Sequence, residues 1–127
     1  IVKLSQEDLE LFVPGPGSEA EKLQRVCAVA PGLVILTRGA GGALAVLPQG
    51  VQVEVAAQEV AVVDTVGAGD SFNAGFLSAL RRAGNLSRAG LQRLDATALR
   101  AALVFATRVA THSVTRAGAN PPWRQEL

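Results

Sequence analysis

One cysteine, one histidine, no methionine and no tyrosine occur in the 127 residues, and each shortage closes off a kind of chemistry. A single thiol, Cys27, cannot form an internal disulfide, which fits a reducing compartment. Its apolar neighbours Val26, Ala28 and Val29 mark it as a small buried hydrophobe, and no histidine lies near enough in sequence to make a thiolate pair. His112 stands alone in an Ala-, Val- and Thr-rich stretch and reads as a packed side chain or one facing a helix C-terminus. No apolar run approaches the roughly eighteen residues that suggest a membrane span, and no secretory segment is visible. Nor is one sign of charge in excess. The 12 basic and 11 acidic residues are scattered, leaving no basic stripe to neutralise a nucleic-acid backbone, so nucleic acid and membrane are both excluded as expected partners.

What is present suffices for one globular unit. Hydrophobic residues make up 49% of the chain and charged residues 18%, within the range of a single soluble domain, 1–127, with a real core. The chain opens directly in the apolar pair Ile1-Val2, which leads to the expectation that a preceding segment is missing and that apolar surface is exposed without it.

Ile1 to Leu4 predicts a short strand, and Ser5 followed by Gln6, Glu7 and Asp8 an N-cap with acids in the first turn of a helix. That helix is predicted to stop near Val13, before Pro14-Gly15-Pro16-Gly17. Ser18 caps a second helix to about Ala30, whose Ala20, Leu23, Val26, Cys27 and Ala30 recur at helical spacing. Leu33 to Thr37, Ala43 to Leu47 and Val51 to Val55 read as a buried strand followed by a hairpin, and Val60 to Val63 as a further strand-like run. Ser71 to Ala83 predicts a helix, and Asp95 caps a last long one through about Ser113, with Gly118 and Pro121-Pro122 ending the ordered chain. Strands alternating with helices predict an α/β layered fold with a mostly parallel sheet and a short antiparallel hairpin.

Gly67-Ala68-Gly69-Asp70 carries the most chemistry. Glycines let successive backbone N–H groups turn toward one point and the following helix adds its positive end, so the turn suits a phosphate. Asp70 repels such a ligand unless it has a task, and in phosphoryl transfer the task is to accept the proton of the attacking hydroxyl. Taken alone, the same residues also fit a tight turn with Asp70 capping a helix.

The longer stretch Asp64-Thr65-Val66-Gly67-Ala68-Gly69-Asp70-Ser71-Phe72 resembles the second signature of the PfkB, or ribokinase-like, carbohydrate kinases, D-T-x-G-A-G-D. Thr37-Arg38-Gly39-Ala40-Gly41-Gly42 is similar to the family's T-x-G-x-x-G segment, and Thr115-Arg116-Ala117-Gly118-Ala119-Asn120-Pro121-Pro122 to its closing motif. The Val2-Lys3-Leu4-Ser5-Gln6-Glu7-Asp8-Leu9 opening and the Arg-Ala-Gly-Ala-Asn-Pro-Pro ending most resemble the bacterial fructokinase branch. The likeness runs over all 127 residues but corresponds to the carboxy-terminal half of a complete member.

The resemblance implies a ribokinase-like fold and ATP-dependent phosphorylation of a sugar hydroxyl, fructose first among the acceptors. Asp70 is implied as general base, with the Gly67, Ala68 and Gly69 amides, and that of Asp70, as anion hole. Thr37, Gly39 and Gly42 are implied near ATP phosphates and ribose, and Ala106, Thr107 and Asn120 near the adenine. Asp64, Thr65 and backbone groups near Gly118 to Asn120 match the region where members hold a monovalent cation, K⁺; the bland reading of Asp64 is a strand-end turn acid. The family's N-x-x-E motif reads Ser5-Gln6-Glu7-Asp8 here, which puts Asp8 at the acidic position that helps organise Mg²⁺, although a helix N-terminal acid needs no metal to explain it. The implied partners are ATP, a sugar, and a missing amino-terminal half or a second copy; the implied place is the cytoplasm. A non-catalytic nucleotide- or anion-binding module, or an inactive fragment of a kinase, is the alternative reading. Trp123 reads as a tail anchor or exposed, and Arg81, Arg82, Arg88, Arg93 and Arg100 as solvated charge.

Overall fold

Each local capping signal produces its helix in the computed structural model, which describes residues 1–127. Ser5 closes a capping box with Asp8 and starts α1 (Gln6–Phe12), directly after β1 (Val2–Ser5). Ser18 does the same with Glu21 at the head of α2 (Glu19–Val29). Three strands follow, β2 (Val34–Thr37), β3 (Ala43–Val46) and β4 (Gln52–Val55), with a 3₁₀ turn at Gly39–Gly41 between the first two. Helices α3 (Ala68–Arg82), α4 (Arg88–Gln92) and α5 (Ala96–Val114) complete the core, and a 3₁₀ turn at Arg124–Glu126 ends the chain.

The strands lie in sequence order in one sheet. β1 pairs parallel with β2 in the register Lys3↔Ile35 and Ser5↔Thr37, whereas β2–β3 and β3–β4 are antiparallel. The sheet of this chain is therefore mixed rather than mostly parallel, and chain length explains why. A parallel return needs a crossover of about a dozen residues or more; only the β1–β2 connection, which carries α1 and α2, has that length.

Both sheet faces are covered. Leu4, Val34, Leu36, Leu44 and Val46 pack under Leu9 of α1 and Leu23 of α2. Ile35, Ala43, Ala45, Val53 and Val55 face Phe72, Phe76 and Leu80 of α3 and Leu99, Leu103 and Ala106 of α5. Every residue of β3 is buried, as befits a central strand between two layers, while β4 alternates because its outer face meets solvent. Cys27 packs half-buried on the α1–α2 side, and its thiol titrates higher than usual because of that burial.

α3 and α5 approach closely where Gly75 crosses: a Cβ placed there would lie 3.0 Å from the Ala106 Cα and from Val109 Cγ2. Arg82 rests over the Phe105 ring, 4.2 Å from its centre, so it is not merely solvated. Three local expectations shift. Val60 to Val63 forms no strand; the run is exposed, and the amides of Val63 and Asp64 donate to the last-turn carbonyl of Val114 in α5, at 2.8 and 3.2 Å. α3 begins at Ala68, three residues before the predicted start, because Gly67 takes a left-handed N-cap conformation and launches the helix at once. The tail beyond Pro122 stays ordered, with Glu126 ion-paired to Arg116. No helix is long and apolar enough to cross a membrane.

Candidate active site

Parallel strands β1 and β2 end side by side at Ser5 and Thr37, where the Thr37 hydroxyl donates to the Leu4 carbonyl at 3.3 Å. A cavity of about 870 Å³ opens beyond those carboxyl ends, the usual place for a ligand in an α/β sheet. Thr37, Gly39 and Gly42 line one side of it, Thr65, Ala68 and Gly69 another, and Thr107, Ala110, Thr111 and Val114 of α5 a third. The structure thus gathers two separated sequence motifs and one side of α5 around a space of a size suited to a small molecule, while no residue of the closing motif lines it.

The head of α3 brings backbone donors to the cavity, while Ser5, Gln6, Glu7, Arg38, Gln58 and Glu59 supply polar side chains elsewhere in its lining. The α3 ladder starts with the Ser71 amide on the Gly67 carbonyl at 2.8 Å, and the Ala68 amide is turned back onto the Thr65 carbonyl at 3.2 Å. The amides of Gly69 and Asp70 have no acceptor in the protein. Helix N-termini carry such free donors and a partial positive charge. Lys3 reinforces them: a Cβ placed on Gly69 lies only 3.4 Å from the Lys3 Nζ, which also lines the cavity. Sequence reasoning passed over Lys3. The signal was available in its register, since Lys3 pairs with Ile35, whose side chain belongs to the α3–α5 core. A lysine at a core-facing strand position needs an electrostatic reason to be there.

The aspartates fall into two groups. Asp8 accepts from the Ser5 amide and hydroxyl, both at 2.8 Å; Asp95 accepts from the Ala98 amide at 2.8 Å; Asp64 accepts from the amides of Val66 at 3.0 Å and Gly118 at 2.8 Å. Of the four aspartates in the chain, Asp70 alone has a carboxylate with no hydrogen bond and no ion pair. It is exposed at the third helical position of α3, whose N-cap Gly67 receives no side-chain bond, so Asp70 is not a capping residue.

Asp64 instead joins two motifs. The Val66 amide, then those of Gly118 and Thr65, hold its carboxyl below the usual carboxylate range. This link draws the closing segment against the α3 turn, where Gly67 is required twice: its φ is +76°, and a Cβ there would stand 2.9 Å from the Ala119 Cβ. Gly42 is equally constrained by the scaffold, since a Cβ would come within 2.1 Å of the Val55 carbonyl oxygen.

Several predicted site residues lie elsewhere: Ala68 and Gly69 line the cavity, but Gly67 and Asp70 on either side of them do not. Ala106 is fully buried against Gly75 and does not reach the cavity, whereas its neighbour Thr107 does, with a buried hydroxyl that has no partner. Asn120 is exposed outside the cavity, and its amide donates to the Gly118 carbonyl at 2.8 Å. Asp8 is spent on its capping box, and the Ser5 amide and hydroxyl pull its carboxyl down. No group of three or more His, Cys, Asp or Glu side chains gathers to hold a metal. A divalent ion here would rely on water and ligand oxygens, as Mg²⁺ with nucleotide phosphates commonly does. The free amides and Lys3 fit an anionic group at the head of α3, and Glu7 and Glu59 also line the cavity.

Comparison with known proteins bears on these features. The pattern described as pfkB family carbohydrate kinase matches residues 1–126. A fructokinase of Rhizobium leguminosarum bv. trifolii is 40% identical over 100 residues, covering 79% of this chain and 30% of that protein. A fructokinase double mutant from Vibrio cholerae O395, solved with fructose, ADP and a potassium ion, superposes with a TM-score of 0.74 at 30% identity, covering 93% of this chain and 35% of that one. Aminoimidazole riboside kinase from Salmonella enterica, solved with aminoimidazole riboside and an ATP analogue, gives 0.76 at 30% identity over 92% of this chain and 36% of that one. The chain spans about a third of the length of these relatives.

Proposed function

The chain belongs to the pfkB family of carbohydrate kinases, and on that premise we propose that it forms the nucleotide-handling part of an enzyme that transfers the γ-phosphoryl group of ATP to a sugar hydroxyl, with fructose the first acceptor to test. The observation that carries this reading is the free carboxylate of Asp70 beside the free amides at the head of α3. A turn that only bound phosphate would gain nothing from an unpaired acid at its rim.

A sugar hydroxyl is a poor nucleophile with a high pKa, so its proton must leave as the bond to phosphorus forms. Asp70 takes that proton. The Gly69 and Asp70 amides and the Lys3 ammonium lie where charge on the transferring group is met by donors already in place, which is the strongest form of transition-state stabilisation an enzyme has. Thr37, Gly39, Ala40 and Gly42 flank the phosphate chain, and Thr107, Ala110, Thr111 and Val114 form the wall assigned to the nucleoside. Magnesium bound with ATP neutralises the triphosphate. Asp64 and Thr65 mark the segment for a monovalent cation, and Asp64 also holds the anion turn to the closing motif. The sugar-contacting surfaces are assigned to the part of the fold that the relatives have beyond this chain's span, or to a second copy, and the cytoplasm to the enzyme as the place where ATP is available.

The test is ATP-dependent phosphorylation of fructose, ribose, 2-keto-3-deoxygluconate and adenosine by the complete gene product. Turnover of one of them is expected and identifies the acceptor. Nucleotide binding with transfer to none would leave a non-catalytic nucleotide-binding module as the better reading.

A further inference from the structure

Arg38, Gly39, Ala40 and Gly42 line the cavity between β2 and β3, and the segment from Arg38 to Gly42 is fixed by its own backbone bonds and, at Gly42, by close approach to Val55. Its internal bonds are Arg38 amide to Gly42 carbonyl and Gly41 amide to Arg38 carbonyl, both 2.8 Å, and Gly42 amide to Gly39 carbonyl at 3.1 Å. Glycines at three of its five positions supply no side chains for packing and raise the entropy lost on ordering. Arg38 is its only polar side chain, and that side chain is 19% exposed.

From this geometry we propose that Arg38 is a positioning residue, a two-sided clamp that sets the height of the Gly39–Gly42 loop over the phosphate end of the cavity. One guanidinium nitrogen meets Glu19 of α2 at 2.7 Å and another meets Glu54 of β4. Glu19 also accepts from the Gln6 side chain at 2.8 Å, and the Glu54 carbonyl accepts from Arg100 of α5 at 3.0 Å. Glu54 stands opposite Leu44, whose side chain packs in the α1–α2 core, so the fork ties α2 to the edge strand β4 on that face of the sheet, with the loop held between them. Planar, delocalised guanidinium serves carboxylates from two elements at once through separate nitrogens in a fixed fork, which a lysine ammonium does not. The Nε is buried without a partner, so the two carboxylates carry the whole compensation for desolvating this charge. The clamp rests on the kinase reading for its consequence but not for its existence.

Two readouts separate the two. In Arg38→Ala and Arg38→Lys, hydrogen exchange of the Gly41 and Gly42 amides is expected to speed up at least tenfold, while the amides of β2 and α3 keep their rates. In the complete gene product, KM for ATP is expected to rise about tenfold with kcat within threefold, and adding Glu19→Gln and Glu54→Gln to Arg38→Ala is expected to change little more, since the three act as one unit. A merely structural arginine would instead lower the melting temperature and the active fraction, with KM unchanged and Arg38→Lys restoring function. Unchanged exchange in Arg38→Ala, or a wild-type KM for ATP in Arg38→Lys, would overturn the clamp. Faster loop exchange in a protein whose wild type does not bind ATP would leave the clamp standing and overturn the kinase reading.

Discussion

A single carboxylate illustrates how identical residue types part ways. Asp64 and Asp70 belong to one motif six residues apart, but Asp64 is consumed by the amides of Val66 and Gly118 while Asp70 is left free. Because the folded-state pKa of Asp64 is depressed, its contribution to stability is present above the unfolded value of about 3.9 and is lost as pH falls through the lower folded value. The urea midpoint of the wild type is therefore expected to drop as pH falls below about 4. Asp64→Asn is expected to be less stable near neutrality and to show a shallower acid slope. Parallel slopes in the two proteins would mean that Asp64 holds nothing. The bland and functional readings of this residue, a turn acid and a cation-site acid, are both compatible with those bonds; the hydrogen bonds establish that it ties the closing motif in place.

At the scale of elements, capping was legible because it is local. Ser5, Ser18 and Asp95 start their helices as their sequence context predicts, each accepting from an amide three residues on. Elements whose fate depends on distant partners were not legible. Val60 to Val63 has strand composition but no strand beside it, so it hangs instead from the Val114 carbonyl. α3 starts early because a left-handed Gly67 is invisible to hydrophobic periodicity. Ala106 and Thr107 differ by one residue, which is about 100° of helix rotation; only the packing of Gly75 decides that Ala106 faces the core and Thr107 the cavity. Gly67 is where elements meet, and Gly67→Ala is expected to cost about 1–3 kcal/mol for the left-handed backbone alone. Its contact with Ala119 adds to this. Replacing Ala119 by Gly in that background is expected to recover part of the loss in urea denaturation; no recovery would place the whole cost in the backbone.

The whole molecule has an asymmetric sheet. β4 closes one edge with an alternating, half-solvated strand, but β1 at the other edge has a free outer side, and Ile1 and Val2 are exposed there. Leu11 and Phe12 at the end of α1 are exposed as well. Unpaired edges with apolar neighbours recruit further strands. The isolated 127-residue chain is expected to elute as a dimer or larger species in gel filtration with light scattering, and a well-behaved monomer would contradict this. The layered α/β architecture followed from alternating strands and helices, while the parallel fraction of the sheet did not, since it depends on which connections are long enough to cross over. Convergence of two motifs and α5 on one cavity, and the place of Lys3 in it, required the fold.

The central claim is that Asp70 is a base beside a preformed anion turn, and the most direct measurement pairs ATP affinity with phosphoryl transfer in Asp70→Asn of the complete gene product. Nucleotide affinity within a few-fold of wild type, with kcat lowered by about 10²–10⁴, is the result this account predicts. Unchanged transfer, or loss of ATP binding in proportion to loss of activity, would contradict it.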